Sequence, residues 1–308
     1  MTITVSPIGG EFGAEICDVD LANPSQDDVQ QIAQAFWKYA VLVFPDQKLT
    51  AEQHVDFAKN FGPMDHTVIK QAVSDQKLRV RDDIADVSNL GADNKMLDKG
   101  NRLRWLQLGN RLWHTDSSFK KIPALASLLY AREIPPVGGQ TAFADLRASY
   151  DALPDAKKEQ LSDLIAEHSL VYSREKMGYT DWEDGERRAV SAVPQTMVRT
   201  VPQTQRKNLF VASHAGYIIG MDDDEAKSLI DEVLAHVTQP EFTYTHRWRV
   251  GDLVMWDNRC TLHRGLPFDD LRFRRDVQRA TTMDIANSCE QEGLPVPEVA
   301  LRVPVAAE

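Results

Sequence analysis

Three side chains constrain this chain more than anything else in it. They are His114 and Asp116 in the run Trp113-His114-Thr115-Asp116, and His263 in Thr261-Leu262-His263-Arg264-Gly265. Together they offer two imidazoles and one carboxylate, the donor set with which a non-haem Fe(II) site holds its metal on one face and leaves three positions free. If the set is real, the fold must deliver residue 263 to residue 114 from far along the chain.

An HxD spacing is a weak signal by itself in a chain with eight His, and a second one occurs at His54-Val55-Asp56. That pair lies in a segment where Thr50 and Gln53 read as a capping box, and where Val55, Ala58 and Phe61 recur at helical spacing. On a helix, residues two apart point about 200° apart, so His54 and Asp56 cannot chelate one ion. On a strand, residues two apart share a face. The stretch from Trp113 to Phe119 shows no helical apolar period and is compatible with an extended strand end, which makes 114 and 116 the credible pair.

The third donor follows a turn, a short apolar strand and a second turn in Gly251-Asp252-Leu253-Val254-Met255-Trp256-Asp257-Asn258. Beyond it, Arg272, Arg274, Arg275 and Arg279 crowd a segment that ends in Ala280-Thr281-Thr282-Met283. Read as a strand, Arg275, Val277 and Arg279 share a face. Two guanidiniums on the metal side would form an anion clamp, and the same pattern also describes a solvated basic strand.

These segments carry a resemblance. The runs WHTDSSF and PPVGGQTAFADLRASYDALP, then RWRVGDLVMWDNRCTLHRG and RRDVQRATT, resemble the taurine dioxygenase superfamily of Fe(II)/2-oxoglutarate dioxygenases. Within it they are most similar to the 2,4-dichlorophenoxyacetate (aryloxyalkanoate) dioxygenases, and the likeness extends from GAEICDVDL and AVLVFPDQ near the start to RATTMD. It implies an α+β fold, a double-stranded β-helix (jelly roll) with helices buttressing the outside, and metal ligation by His114, Asp116 and His263. It also implies 2-oxoglutarate and O2 as cosubstrates and stimulation by ascorbate in vitro. By motif match, Arg275 and Thr141 would hold the far carboxylate of 2-oxoglutarate through a fork and a hydroxyl. Arg279 falls where family members hold the substrate's acidic group, and Lys70 and Lys95 fall at positions matching lysines of the phenoxyacetate enzymes, where they would add to substrate binding or serve only as solubilising loop lysines.

Two local departures matter. The segment Leu266 to Phe273 carries one residue more than the phenoxyacetate enzymes, so the clamp is anchored on RRxxxRATT, which selects Arg275 and turns Arg274 toward a surface ion pair. Val201 stands where the resemblance places a His, which leaves the aryl end of the pocket open. His214 matches a family His and equally suits packing, and His246 reads as structural.

Composition supports one soluble unit. A chain of 308 residues, 43% apolar, can build one large core. No Pro/Ser-rich linker, repeat or low-complexity stretch divides it, so a single domain over 1–308 is expected. No apolar run approaches the roughly 20 residues of a membrane span, and no basic-then-apolar leader opens the chain, which predicts a cytoplasmic protein. Cys17, Cys260 and Cys289 lack metal or disulfide spacing. A net charge of −11 argues against nucleic acid as a partner, while a small anionic aromatic substrate needs only a few cations concentrated in a pocket. A homo-oligomer is compatible with all of this.

Strands are predicted at 40–44, 126–131, 209–212, 242–248, 253–256 and 276–282, with helices after Thr50, after Pro154 and over 223–237. The expected activity is hydroxylation of the carbon beside the ether oxygen of an aryloxyalkanoic acid. The alternatives are oxidation of another small acid (a sulfonate or natural aromatic acid) and a non-catalytic metal-binding jelly-roll sensor.

Overall fold

The strands alternate between two apolar environments, and that alternation builds the architecture. In a computed structural model that describes residues 3–66 and 79–299, the chain forms β1 (Thr4–Gly9), β2 (Phe12–Cys17), β3 (Val41–Phe44), β4 (Ala85–Asp86), β5 (Ala124–Glu133) and β6 (Thr141–Asp145). There follow β7 (Ile165–His168), β8 (Val193–Thr196), β9 (Val198–Val201), β10 (Arg206–Leu209) and β11 (Ala215–Ile218). The last are β12 (Thr243–His246), β13 (Leu253–Asp257), β14 (Thr261–Gly265) and β15 (Asp276–Met283).

A seven-stranded sheet in the order β1-β2-β3-β13-β5-β15-β4 faces a three-stranded sheet in the order β12-β6-β14. Val41 and Val43, Val254 and Trp256, Leu129 and Val277 point between the sheets and pack with Phe143 of β6 and Trp248. The intervening residues Leu42, Phe44, Leu253, Met255, Leu128 and Ala280 point outward, where Ile32, Phe36 and Phe57 of helices Gln26–Tyr39 and Ala51–Ala58 cover them. The strands of the large sheet are therefore buried on both faces, which explains why they read as near-continuous apolar runs. Helix Asp223–Val237 seals a further core through Ala226, Leu229, Ile230 and Val233 against Leu146, Leu209 and Val211. This is the jelly-roll core with buttressing helices expected from the resemblance.

Most predicted elements lie where expected. Thr50 and Gln53 form a reciprocal capping box, and Asp222 caps the helix at Asp223 by accepting from the Asp224 and Glu225 amides. One strand is displaced: β10 ends at Leu209, and Phe210 to Ala212 run buried without a ladder. Their apolar character reflects burial under the 223–237 helix rather than pairing.

Candidate active site

His263 is held on β14, and the backbone of residue 114 is tied directly across from it. The His114 amide donates to the His263 carbonyl at 3.0 Å, and the His263 amide donates back at 2.7 Å. Only that single bridge is strand-like. The predicted strand end around 113–119 is instead a bridge followed by a turn, with Ser117 at φ 54°. Side-chain bonds replace the ladder: Thr115 Oγ1 donates to the Asn258 carbonyl at 2.6 Å, and the Asp116 amide donates to Asn258 Oδ1 at 3.1 Å. The result still aims His114 and Asp116 at a common point.

His114 Nδ1 lies 2.8 Å from the Leu112 carbonyl, which fixes the proton on that nitrogen and leaves Nε2 bare. His114 Nε2 is 3.9 Å from Asp116 Oδ1, and His263 Nε2 is 3.7 Å from Asp116 Oδ2. Donor atoms of the three residues lie within 4.8 Å of one another. Two donors each about 2.1 Å from one first-row ion are at most about 4.2 Å apart, so both measured separations fit an ion between them. Burial pushes the His114 imidazole down to about 4, and burial with the neighbouring His114 pushes His263 well below its usual value. Both rings are therefore neutral, as ligands must be. Burial opposes ionisation of Asp116, but the Arg279 guanidinium, helped by the hydrogen bond from Ser127, outweighs it and holds the carboxyl below its usual range.

The competing pair is built differently. His54 is buried in its helix with Nε2 2.9 Å from the Leu128 carbonyl, while Asp56 faces solvent and pairs with Lys59.

A buried polar network that sequence reasoning missed supports the donors. Ser127 Oγ donates to Asp116 Oδ2 at 2.6 Å, Asn258 Nδ2 donates to Ser127 Oγ at 2.9 Å, and Trp256 Nε1 donates to Asn258 Oδ1 at 3.0 Å. In the sequence Asn258 is only the end of a turn, although an Asn two residues after a strand Trp is the signal that was available. Ser127→Ala and Asn258→Leu should each weaken metal binding about 10- to 100-fold, the range for groups that orient a ligand. Metal titration of each variant checks this, and wild-type affinity in both would remove the network from the account.

The triad sits between two cavity lobes that share His114 and Arg279. One, about 800 Å³ with its mouth, is lined by Thr141, Trp256, Leu266, Asn89 and Arg275. The other, about 820 Å³ with its mouth, is lined by Phe119, Leu170, Lys120, Arg174 and His214. In the first lobe Arg275 is buried, its Nε has no hydrogen-bond partner among the described residues, and Nη1 donates to the Val87 carbonyl at 3.2 Å. Burial draws its pKa down to about 10, leaving it charged near neutral pH. Thr141 Oγ1 accepts from Trp248 Nε1 at 3.0 Å in the same lobe. Gly139 has φ +71°, and a Cβ there would stand 2.9 Å from Pro135 and 3.5 Å from the Arg275 side chain, so the loop before Thr141 can lie against the guanidinium stem only as glycine. Arg274 points away, bonded to Glu133 at 3.0 Å and to the Asn94 carbonyl at 2.7 Å.

The structure separates the three expected substrate cations. Arg279 lies beside the triad: its Nη1 donates to Asp116 Oδ1, and its Nε donates to Thr281 Oγ1 at 3.1 Å. Lys95 is 84% exposed, pairs with Asp93 at 3.6 Å and lines neither lobe, so its position makes it a solvated surface lysine. Lys70 lies outside the described residues. Val201 packs against Ala40 and Cys260, away from both lobes, so the departure at that position does not shape the pocket. His214 does line the second lobe, with Nδ1 3.2 Å from Ser118 Oγ and its ring edge-on to His114 and Phe119. His246 is structural, 3.1 Å from Asp252.

Comparison with known proteins places this geometry. Residues 4–281 match the family model described as taurine catabolism dioxygenase TauD, TfdA family. The alpha-ketoglutarate-dependent 2,4-dichlorophenoxyacetate dioxygenase of Cupriavidus pinatubonensis is 41% identical over 287 residues, covering 93% of this chain and 99% of that protein. The (S)-phenoxypropionate/alpha-ketoglutarate-dioxygenase of Sphingobium herbicidovorans is 37% identical over 86% of this chain and 90% of that one. Among solved structures, AAD-2 in complex with Mn(II) and N-oxalylglycine superposes with a TM-score of 0.90 at 44% identity, covering 94% of this chain and 100% of that one.

Proposed function

The chain belongs to the taurine catabolism dioxygenase TauD, TfdA family, and from that premise we propose that it hydroxylates the carbon beside the ether oxygen of an aryloxyalkanoic acid. It is a 2-oxoglutarate-dependent non-haem iron dioxygenase. The observation that carries the reading is a His-Asp-His cluster set between two lobes, one of which ends in a buried guanidinium without a carboxylate partner among the described residues.

In this reading His114, Asp116 and His263 hold Fe(II). The bound metal with 2-oxoglutarate and O2 supplies oxidative decarboxylation to succinate and CO2, with the second oxygen atom entering a substrate C–H bond. Arg275 receives the far carboxylate of 2-oxoglutarate through charge-assisted bonds, with Thr141 adding a hydroxyl. Trp256 and Leu266 wall the same lobe with apolar surface and limit water around the cosubstrate. Hydroxylation next to an ether oxygen yields a hemiacetal, which collapses to a phenol and a 2-oxoacid. Phe119 and Leu170 in the second lobe suit an aryl group.

Arg279 is proposed to share the substrate's negative charge, and its bond to Asp116 couples that charge to the metal ligand. Arg279→Ala should therefore weaken aryloxyacetate binding by a factor of about 30 or more, the lower end of what truncating a buried charge pair costs. It should also disturb metal binding, which the sequence pattern alone did not suggest. Methyl esters should be poor substrates of the wild type, and equal turnover of acid and ester would remove the aryloxyalkanoate assignment while leaving the dioxygenase. Among the described residues no helix is long and apolar enough to cross a membrane. The acidic charge and free thiols suit a cytoplasmic enzyme acting as one catalytic unit.

A further inference from the structure

Both lobes beside the triad hold a guanidinium taken out of water without a carboxylate to meet it among the described residues, and only one of the two has been given a ligand. In the second lobe that group is Arg174, on helix Leu170–Glu175. The residue is 9% exposed, its Nε is buried without a partner among the described residues, and its one described side-chain bond runs from Nη1 to Ser173 Oγ at 3.2 Å. The other charges of the lobe are matched among the described residues. Asp65 pairs with Lys120 at 2.6 Å, Asp86 with Arg79 at 2.7 Å, and Asp116 with Arg279.

The guanidinium is held in place. A Cβ at Gly109 would fall 2.2 Å from Arg174 Cζ, so the planar group lies directly on the glycine backbone just before the His114 run. Burial lowers its pKa only to about 10, so it remains a cation. It lines the same lobe wall as His114, Asp116 and His214, which puts it on the side of the metal donors. An unpaired buried charge is costly unless a ligand completes it.

Resting on the aryloxyalkanoate reading above, we infer that Arg174 joins Arg279 in anchoring the substrate's carboxylate, while Arg275 meets the far carboxylate of 2-oxoglutarate. The chemistry requires such proximity, because the carbon to be hydroxylated is bonded directly to the carboxylate carbon. An anchor remote from the triad would hold the reacting C–H away from it. Gly109 then acts as a positioning residue, leaving the space in which the guanidinium lies.

The test uses the full-length enzyme loaded with Fe(II) and 2-oxoglutarate, with phenoxyacetate and its neutral primary amide as paired probes. Arg174→Met keeps the stem's bulk and removes the charge. It should raise the Kd for phenoxyacetate by a factor of about 30 or more, change amide binding less than threefold, and move 2-oxoglutarate affinity little. Arg174→Lys should recover part of the acid's affinity, and Gly109→Ala should reproduce the acid-selective loss by displacing the guanidinium. Equal losses for acid and amide, with a lowered melting temperature, would show a packing role and overturn the proposal, as would unchanged acid binding in Arg174→Met. If the wild type rejects aryloxyacids but selects another carboxylic acid over its amide, the substrate class fails, and the Arg174→Met loss on that acid decides the anchor. No acid-over-amide preference in the wild type for any carboxylic acid overturns both.

Discussion

Alanine at His114, Asp116 or His263 is expected to reduce Fe(II)-dependent turnover to the level of a metal-free control, while alanine at His54 leaves metal binding intact. The contrast follows from geometry. The first three place donor atoms within 4.8 Å of one another in a buried pocket. His54 instead spends its Nε2 on the Leu128 carbonyl between a helix and the large sheet. Losing one of three protein donors removes the metal and with it the reaction's oxidising chemistry. Losing His54 leaves a cavity and removes one buried hydrogen bond, a stability cost of about 1–3 kcal/mol that thermal melting would register. Retained turnover in His263→Ala, or loss of metal in a folded His54→Ala, would break the assignment.

The second large effect concerns the cosubstrate. Arg275→Gln should raise the KM for 2-oxoglutarate by a factor of about 30 or more, since it deletes the charge of a fork that meets a carboxylate in a desolvated lobe. Arg274→Gln should stay within about twofold of wild type, because an exposed ion pair such as that with Glu133 contributes about 1 kcal/mol at most. Steady-state kinetics in 2-oxoglutarate at saturating acid substrate make the comparison. The opposite ranking would mean that the extra residue after His263 had shifted the register and brought Arg274 to the lobe.

Much of this site was legible because its residue types report their geometry. A histidine and an aspartate two apart without helical periodicity had few alternatives, and Arg275, Val277 and Arg279 keep the strand parity that turns Val277 inward with the core. The helix at 223–237 was readable end to end because its acidic start and apolar stripe are local properties. What could not be read was non-local. Asp116 is aimed by Asn258 and Ser127, whose partners are set by chain crossings rather than by spacing. The same holds for Arg174, whose isolation from carboxylates exists only once the second lobe is assembled. Lys95 is the converse case: a motif match suggested a substrate cation or a solubilising lysine, and its side chain is exposed and lines neither lobe.

The most direct test of the central claim is the stoichiometry of succinate and phenol released from phenoxyacetate by the purified protein supplied with Fe(II), ascorbate, 2-oxoglutarate and O2. The account predicts equal yields of the two products, both lost on omitting Fe(II) or 2-oxoglutarate and both lost in Asp116→Ala. Phenol release without 2-oxoglutarate consumption would contradict the dioxygenase chemistry. Succinate formation without phenol across aryloxyalkanoic acids would contradict the ether-cleaving assignment.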